Sequence, residues 1–192
     1  MQFKVRTMDW SQFEIDIERF PREIFDYEKV APEVAEYLTT SGLPSWCAPH
    51  LYFGSFDDRF LPLLSEWPWA DDWEKGYKLA VASHPNVCVI GSAQNHEPIV
   101  VLPRETAVHV FSETGSKLRL LNSSVGNLSR TVFAFAEMVE VAVANDAKSV
   151  IESRVPHALV DGFIRTFGDL EPGISEANSV WQEWAHETCK NA

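Results

Sequence analysis

Between residues 87 and 143 the chain changes its hydrophobic period once, and that change constrains the fold more than any other feature. Four short runs come first: Val-Cys-Val-Ile-Gly, Pro-Ile-Val-Val-Leu, Ala-Val-His-Val-Phe and Lys-Leu-Arg-Leu-Leu. Polar links at 94–97, 103–106 and 113–116 separate them. Links of about four residues fit antiparallel hairpins, because a parallel crossover needs about a dozen or more. In the third run Val108 and Val110 share one strand face, with His109 and Phe111 on the other. Asn122, Ser123 and Ser124 then supply N-cap chemistry, and Ser123 or Ser124 is the expected acceptor for the first helical N–H groups. Beyond them Val125, Leu128, Val132, Phe135, Val139 and Val143 recur at three- and four-residue steps. That stripe should lie across the sheet, with Asn145 and Asp146 ending or kinking the helix. Antiparallel strands followed by one capped helix predict a local α+β core on which the rest of the chain packs.

The flanks read less regularly. Phe13, Ile15 and Ile17 alternate with acidic residues, the period of a half-wet strand, although poor strand propensity leaves a helix open there. From Pro32, proline at the first helical position, Glu33 in the first turn and the Val34/Leu38 pair predict a short amphipathic helix. Gly42 stops it and Pro44 prevents its resumption. Residues 51–54 read as a strand ending in a turn, and 77–82 as a further strand. After residue 148 a weaker helical stripe of Val150, Ile151, Val155, Leu159, Phe163 and Ile164 is interrupted by Pro156 and closes near Gly168. A last helix from Ser175 to about Cys189 carries Val180, Trp181 and Trp184. No linker, repeat or low-complexity run divides the chain. One domain over 1–192 is expected, with a core at about 30–144 and a helical C-terminal extension at about 146–190.

Chemistry is harder to find. Six histidines are scattered without a metal-binding spacing, and no glycine-rich phosphate loop or nucleophile elbow occurs, so no metal or cofactor is expected. Cys47, Cys88 and Cys189 form no Cys-x-x-Cys pair, and Cys88 between two valines reads as a small buried hydrophobe. Cys47 with His50 three residues on invites a nucleophilic dyad, but catalytic dyads are assembled by folds rather than by sequence adjacency. Cys47, His50 and His109 are the best residues an enzyme or small-ligand reading has, and no catalysis is the expectation. The net charge of −12, from 28 acidic against 16 basic residues, disfavours nucleic acid as a partner. It suits plain solubility, or steering toward a basic protein. Apolar runs fall far short of the roughly 20 residues a membrane span needs. The N-terminus lacks an apolar signal core, so a cytoplasmic protein away from the membrane is expected.

One segment stands out. Between 55 and 76 the pattern weakens and three tryptophans, two prolines and four aspartates crowd together. An irregular loop with one helical turn is expected. Asp57, Asp58, Trp67, Trp69, Asp71, Asp72 and Trp73 combine aromatic anchors with charge, as a steered protein interface requires. The alternative is that these rings cap one end of the core.

The ordered pieces also resemble a known family. They are Ser41-Gly42-Leu43-Pro44 after a short helix, the strand end Val89-Ile90-Gly91, then Pro98-Ile99-Val100-Val101-Leu102 and Ala107-Val108-His109-Val110-Phe111. Leu120-Leu121-Asn122-Ser123-Ser124-Val125 follows and opens a helix. In this order, over about residues 30 to 144, the chain resembles the SUKH superfamily and most closely its SUKH-4 immunity protein group. It departs from the wider superfamily after Gly91, where Ser92-Ala93-Gln94-Asn95-His96-Glu97 replaces a turn often rich in glycine and aspartate. The resemblance implies an α+β fold with a central, mostly antiparallel sheet flanked by helices. It also implies a bacterial immunity protein that neutralises a cognate polymorphic toxin by direct, non-catalytic binding. Toxins of nuclease or nucleic-acid deaminase type, with basic grooves, are the partners it points to. A general interaction or regulatory domain of the same fold is the alternative.

Overall fold

The computed structural model describes residues 8–49, 51–54, 61–67, 78, 81–93, 96–112, 117–174 and 179–192. At the N-terminus the expected strand is cut short. Trp10–Phe13 forms a 3-10 turn capped by Asp9, whose carboxylate accepts a hydrogen bond from the Ser11 amide at 3.2 Å. Glu14 then adopts a left-handed conformation at φ 55°, which interrupts the alternation, so the extended part is only β1 (Ile17–Glu18). The interruption lets Trp10 and Phe13 reach Phe133, with ring centroids 5.0 and 5.3 Å away.

Helix α1 (Pro32–Thr40) starts on its proline and buries Val34, Ala35 and Leu38. Gly42 ends it at φ 75°. A Cβ there would lie 2.3 Å from the Glu18 carbonyl oxygen, so the antiparallel pairing of β1 with β2 (Leu43–Pro44) requires glycine at this point. Beyond β2 the chain builds a second, six-stranded sheet. Its strands are β3 (Trp46–Cys47), β4 (Leu51–Phe53), β5 (Cys88–Ser92), β6 (Pro98–Val101), β7 (Val108–Ser112) and β8 (Lys117–Asn122). They lie side by side in sequence order and every neighbouring pair is antiparallel. The short links between β3 and β4 and from β5 through β8 dictated this for their pairs, since none of those has the length for a crossover, whereas the link at 54–87 between β4 and β5 would have allowed one. The two-residue strands β2 and β3 carry no readable period, and the sequence pattern did not separate them from the turn around Pro44.

The segment 77–82 departs from expectation. Its described residues, Lys78, Val81 and Ala82, are helical, and Val81 packs over the sheet instead of joining its ladder. A short apolar run of this kind has no period long enough to separate strand from helix.

Helix α2 (Val125–Asn145) is capped by Ser124, whose hydroxyl accepts from the Asn127 amide at 3.1 Å. The predicted stripe is buried except at Val143, but Thr131, Phe133, Ala134, Ala136, Met138 and Ala142 are buried too. The helix is therefore wrapped on several sides. Trp10 and Phe13 pack on Phe133, and Tyr37 of α1 comes within 3.4 Å of a Cβ placed on Gly126. Helices α3 (His157–Leu170) and α4 (Val180–Glu187) cover Phe135, whose ring centroid lies 5.2 Å from Phe163 and 5.7 Å from Trp181. Helix α3 starts directly after Pro156 and continues through Gly168 to Leu170, while Ile151, placed on its stripe by sequence, is 86% exposed. The result is an α+β protein whose main core lies between one sheet face and the helices.

Candidate partner-binding surface

Alternation along the strands assigns each side chain to one of two sheet faces. Cys47, Leu51, Phe53, Cys88, Ile90, Ile99, Val101, Val108 and Val110 join the helical core. Val89, Val100 and Phe111 project to the opposite side, where Leu64, Trp67, Val81 and Val87 cover them in a smaller cluster. Val108 and Val110 thus face the helices and Phe111 faces away, as the period of two requires.

Residues 61–67 of the acidic, tryptophan-rich segment pass over this second face. Its described part, 61–67, contains a 3-10 turn at Leu64–Glu66, and the Glu66 carboxylate accepts from the Leu63 amide at 3.0 Å. Leu64 and Leu63 connect it to the sheet: the Leu64 amide donates to Val87 O at 2.8 Å, and Leu63 bridges to Cys88. Trp67 is 4% exposed and its indole N–H donates to the carbonyl of His96 at 3.1 Å. Trp67 therefore belongs to the cover of the sheet. Asp57, Asp58, Trp69, Asp71, Asp72 and Trp73, the other residues singled out by sequence, lie outside the described residues.

The cover does not reach the β3–β4 end. Trp46 and Tyr52 are direct cross-strand partners, 46% and 52% exposed, and both point away from the helical core because Cys47, Leu51 and Phe53 point into it. The signal for this pair was present in sequence, as a large aromatic between two buried apolar positions in Leu-Tyr-Phe. It was missed because β3 has only two residues. At the other end His109 pairs with Leu120, which is 38% exposed.

The cysteine candidates are buried. Cys47 is fully buried, its S–H directed at the Ala48 carbonyl at 3.5 Å, and burial pushes its thiol up to about 12. At neutral pH it stays a thiol, and the thiol is a poor nucleophile. His50 lies outside the described residues. Burial likewise pushes Cys88 up to about 11. Among the described residues no three His, Cys, Asp or Glu side chains come together as a metal site would require. An apolar groove of about 470 Å³ runs between Pro49, Leu51, Val139, Val143 and Trp184. The two charged residues at its lip, Glu187 and Lys190, bind each other at 2.6 Å.

The motif residues that carry the family resemblance are structural. Gly42 permits the close passage of β1. A Cβ on Gly91 would sit 2.5 Å from the Tyr52 carbonyl oxygen, so this glycine admits β4 beside β5. Asn122 centres a buried network: its amide donates to Thr131 Oγ1 and to Glu171 Oε1, both at 2.9 Å, and its carbonyl accepts from the Trp181 indole N–H at 2.9 Å. The Ser123 amide adds a second hydrogen bond to Glu171 Oε1 at 2.9 Å. Outside this network Arg119 of β8 grips Glu183 of α4 through two hydrogen bonds of 2.7 and 2.5 Å. Two side chains of β8, Asn122 and Arg119, therefore tie the C-terminal helices to the sheet.

A family model described as SUKH-4 immunity protein matches residues 10–187. The matched region is wider at both ends than the 30–144 stretch, taking in Trp10 and both C-terminal helices. Neither curated proteins nor solved structures gave a match.

Proposed function

Because this chain belongs to the SUKH-4 immunity protein family, we propose that it binds and neutralises a cognate polymorphic toxin by direct, non-catalytic contact. The family match over residues 10–187 is the observation that carries this reading. The toxin is of nuclease or nucleic-acid deaminase type, with a basic substrate groove, and neutralisation takes place in the cytoplasm. A net charge of −12 supports that choice, since an acidic inhibitor meets a basic cleft at steered rates. No described helix is long and apolar enough to cross a membrane. The chain acts as one SUKH-like domain, with its C-terminal helices anchored through Asn122 and Glu171.

Within this reading Asp57, Asp58, Asp71 and Asp72 steer the toxin, and Trp69 and Trp73 anchor it. Trp67, the last residue of the described stretch 61–67, is itself held over the sheet by the His96 carbonyl. The test is inhibition of the toxin domain encoded by an adjoining reading frame, with association rates measured across a salt series. Equimolar protein should abolish toxin activity, and the association rate should fall as salt rises. Charge reversal at the four aspartates should slow association and flatten that salt dependence while leaving unfolding unchanged. Toxin activity unaffected by equimolar protein would leave the chain as a general interaction domain of the same fold.

A further inference from the structure

We infer that the open strip of the sheet carrying Trp46 and Tyr52 is a seat for an arginine-bearing segment of the toxin partner. This rests on the immunity reading and adds further contact residues to it. The two rings are adjacent across the β3–β4 ladder and half exposed, whereas their strand neighbours Cys47, Leu51 and Phe53 are buried on the other face. Side by side, two large aromatic rings in water are the composition of an interface centre, where tryptophan, tyrosine and arginine dominate. Charge decides what sits there. Glu18 of β1 lies at the end of β4: a Cβ on Gly54, two residues past Tyr52, would be 3.9 Å from Glu18 Cγ. The adjacent Arg19 is turned away, with its Nε–H donating to the Thr40 carbonyl at 3.1 Å. Both strands fall between Lys29 and Arg59, the longest stretch of the chain without lysine or arginine. Exposed aromatic faces with Glu18 beyond the end of their ladder complement a guanidinium. The rings take it by cation–π stacking and Glu18 by paired hydrogen bonds.

The test uses hexa-arginine peptide as the probe, with hexa-glutamate as control, against the full chain and its W46L/Y52L and E18Q variants. Indole N–H signals are followed by NMR, with the Trp46 signal assigned through W46F. The Trp46 signal should shift saturably with hexa-arginine and stay fixed with hexa-glutamate. W46L/Y52L should weaken binding about tenfold and E18Q about threefold, without lowering Tm, since both rings are exposed. A Trp46 signal that stays fixed, or undiminished binding by the double variant, overturns the assignment. So does sedimentation of the wild type as a dimer that W46L/Y52L dissociates, which would give the strip to a second copy of the chain. Because the peptide titration uses no toxin, failure to neutralise a toxin defeats the proposed function and leaves this result standing.

Discussion

The two faces of the six-stranded sheet are made from the same strands yet are finished differently. On the helical face the inward side chains join one large core with α1, α2, α3 and α4, and the rings of Phe135, Phe163 and Trp181 interlock. On the other face a smaller cluster around Trp67 and Phe111 covers the centre and leaves Trp46, Tyr52 and Leu120 exposed. One face carries stability, and the other has surface to spare for a partner. Residues of the first kind should be sensitive to truncation and silent in binding, and residues of the second kind the reverse.

The largest effect should follow from Phe135→Ala. Its ring is buried between α3 and α4, so truncation should cost about 3–5 kcal/mol in urea unfolding. Tyr52→Ala, on the open strip, should change stability by less than about 0.5 kcal/mol. Comparable losses at the two sites would break the division between the faces.

Next in size is Asn122→Ala, expected to cost about 2–4 kcal/mol. It leaves the Trp181 indole N–H without its acceptor and strips one donor from the buried Glu171 carboxylate. Because the network ties β8 to α3 and α4, the amides of those two helices should lose hydrogen-exchange protection first. Protection lost uniformly would show that the helices are held by ring packing alone.

The helical face was also the more legible of the two. Links of four residues, the stripe from Val125 to Val139 and the Ser124 cap are local signals, and they led directly to the antiparallel strands and α2. What sequence did not reveal depends on contacts between distant residues. The Asn122–Glu171 hydrogen bond joins positions 49 residues apart, and nothing in the Asn-Ser-Ser spacing foretells it. The segment at 77–82 was misread because a short apolar run fits both a strand and a helical turn. Trp67 was legible as an aromatic anchor, but its burial depends on His96, 29 residues away. Trp46 and Tyr52 were passed over because pairing of a two-residue strand leaves almost no pattern.

Trp67 offers a smaller and more local test of the open face. Trp67→Phe keeps most of the ring but removes the indole N–H that meets the His96 carbonyl, and it should cost about 1 kcal/mol. If the cover is independent of the aromatic strip, the Trp46 and Tyr52 environments should be unchanged in this variant, as read by their NMR signals. Movement of those signals would mean that the loop and the strip form one surface.

The smallest effect concerns His109, which shares the open face with Leu120. Its Nδ1 is buried without a hydrogen-bond partner, and burial holds its pKa below the ordinary 6.5, with the Glu105 carboxylate pulling the other way. A folded-state pKa lowered in this manner means that the unfolded chain takes up the proton first as pH falls. The stabilising contribution is therefore complete above the ordinary imidazole range and is lost as pH drops through it toward the folded value. His109→Leu should flatten the dependence of unfolding free energy on pH between roughly 5 and 7. The change should stay below about 1 kcal/mol, because the ring keeps partial contact with water. Urea unfolding of wild type and variant at matched pH values measures it. An unchanged slope would place the acid sensitivity of the fold elsewhere and would remove the open face from any account of pH-dependent stability.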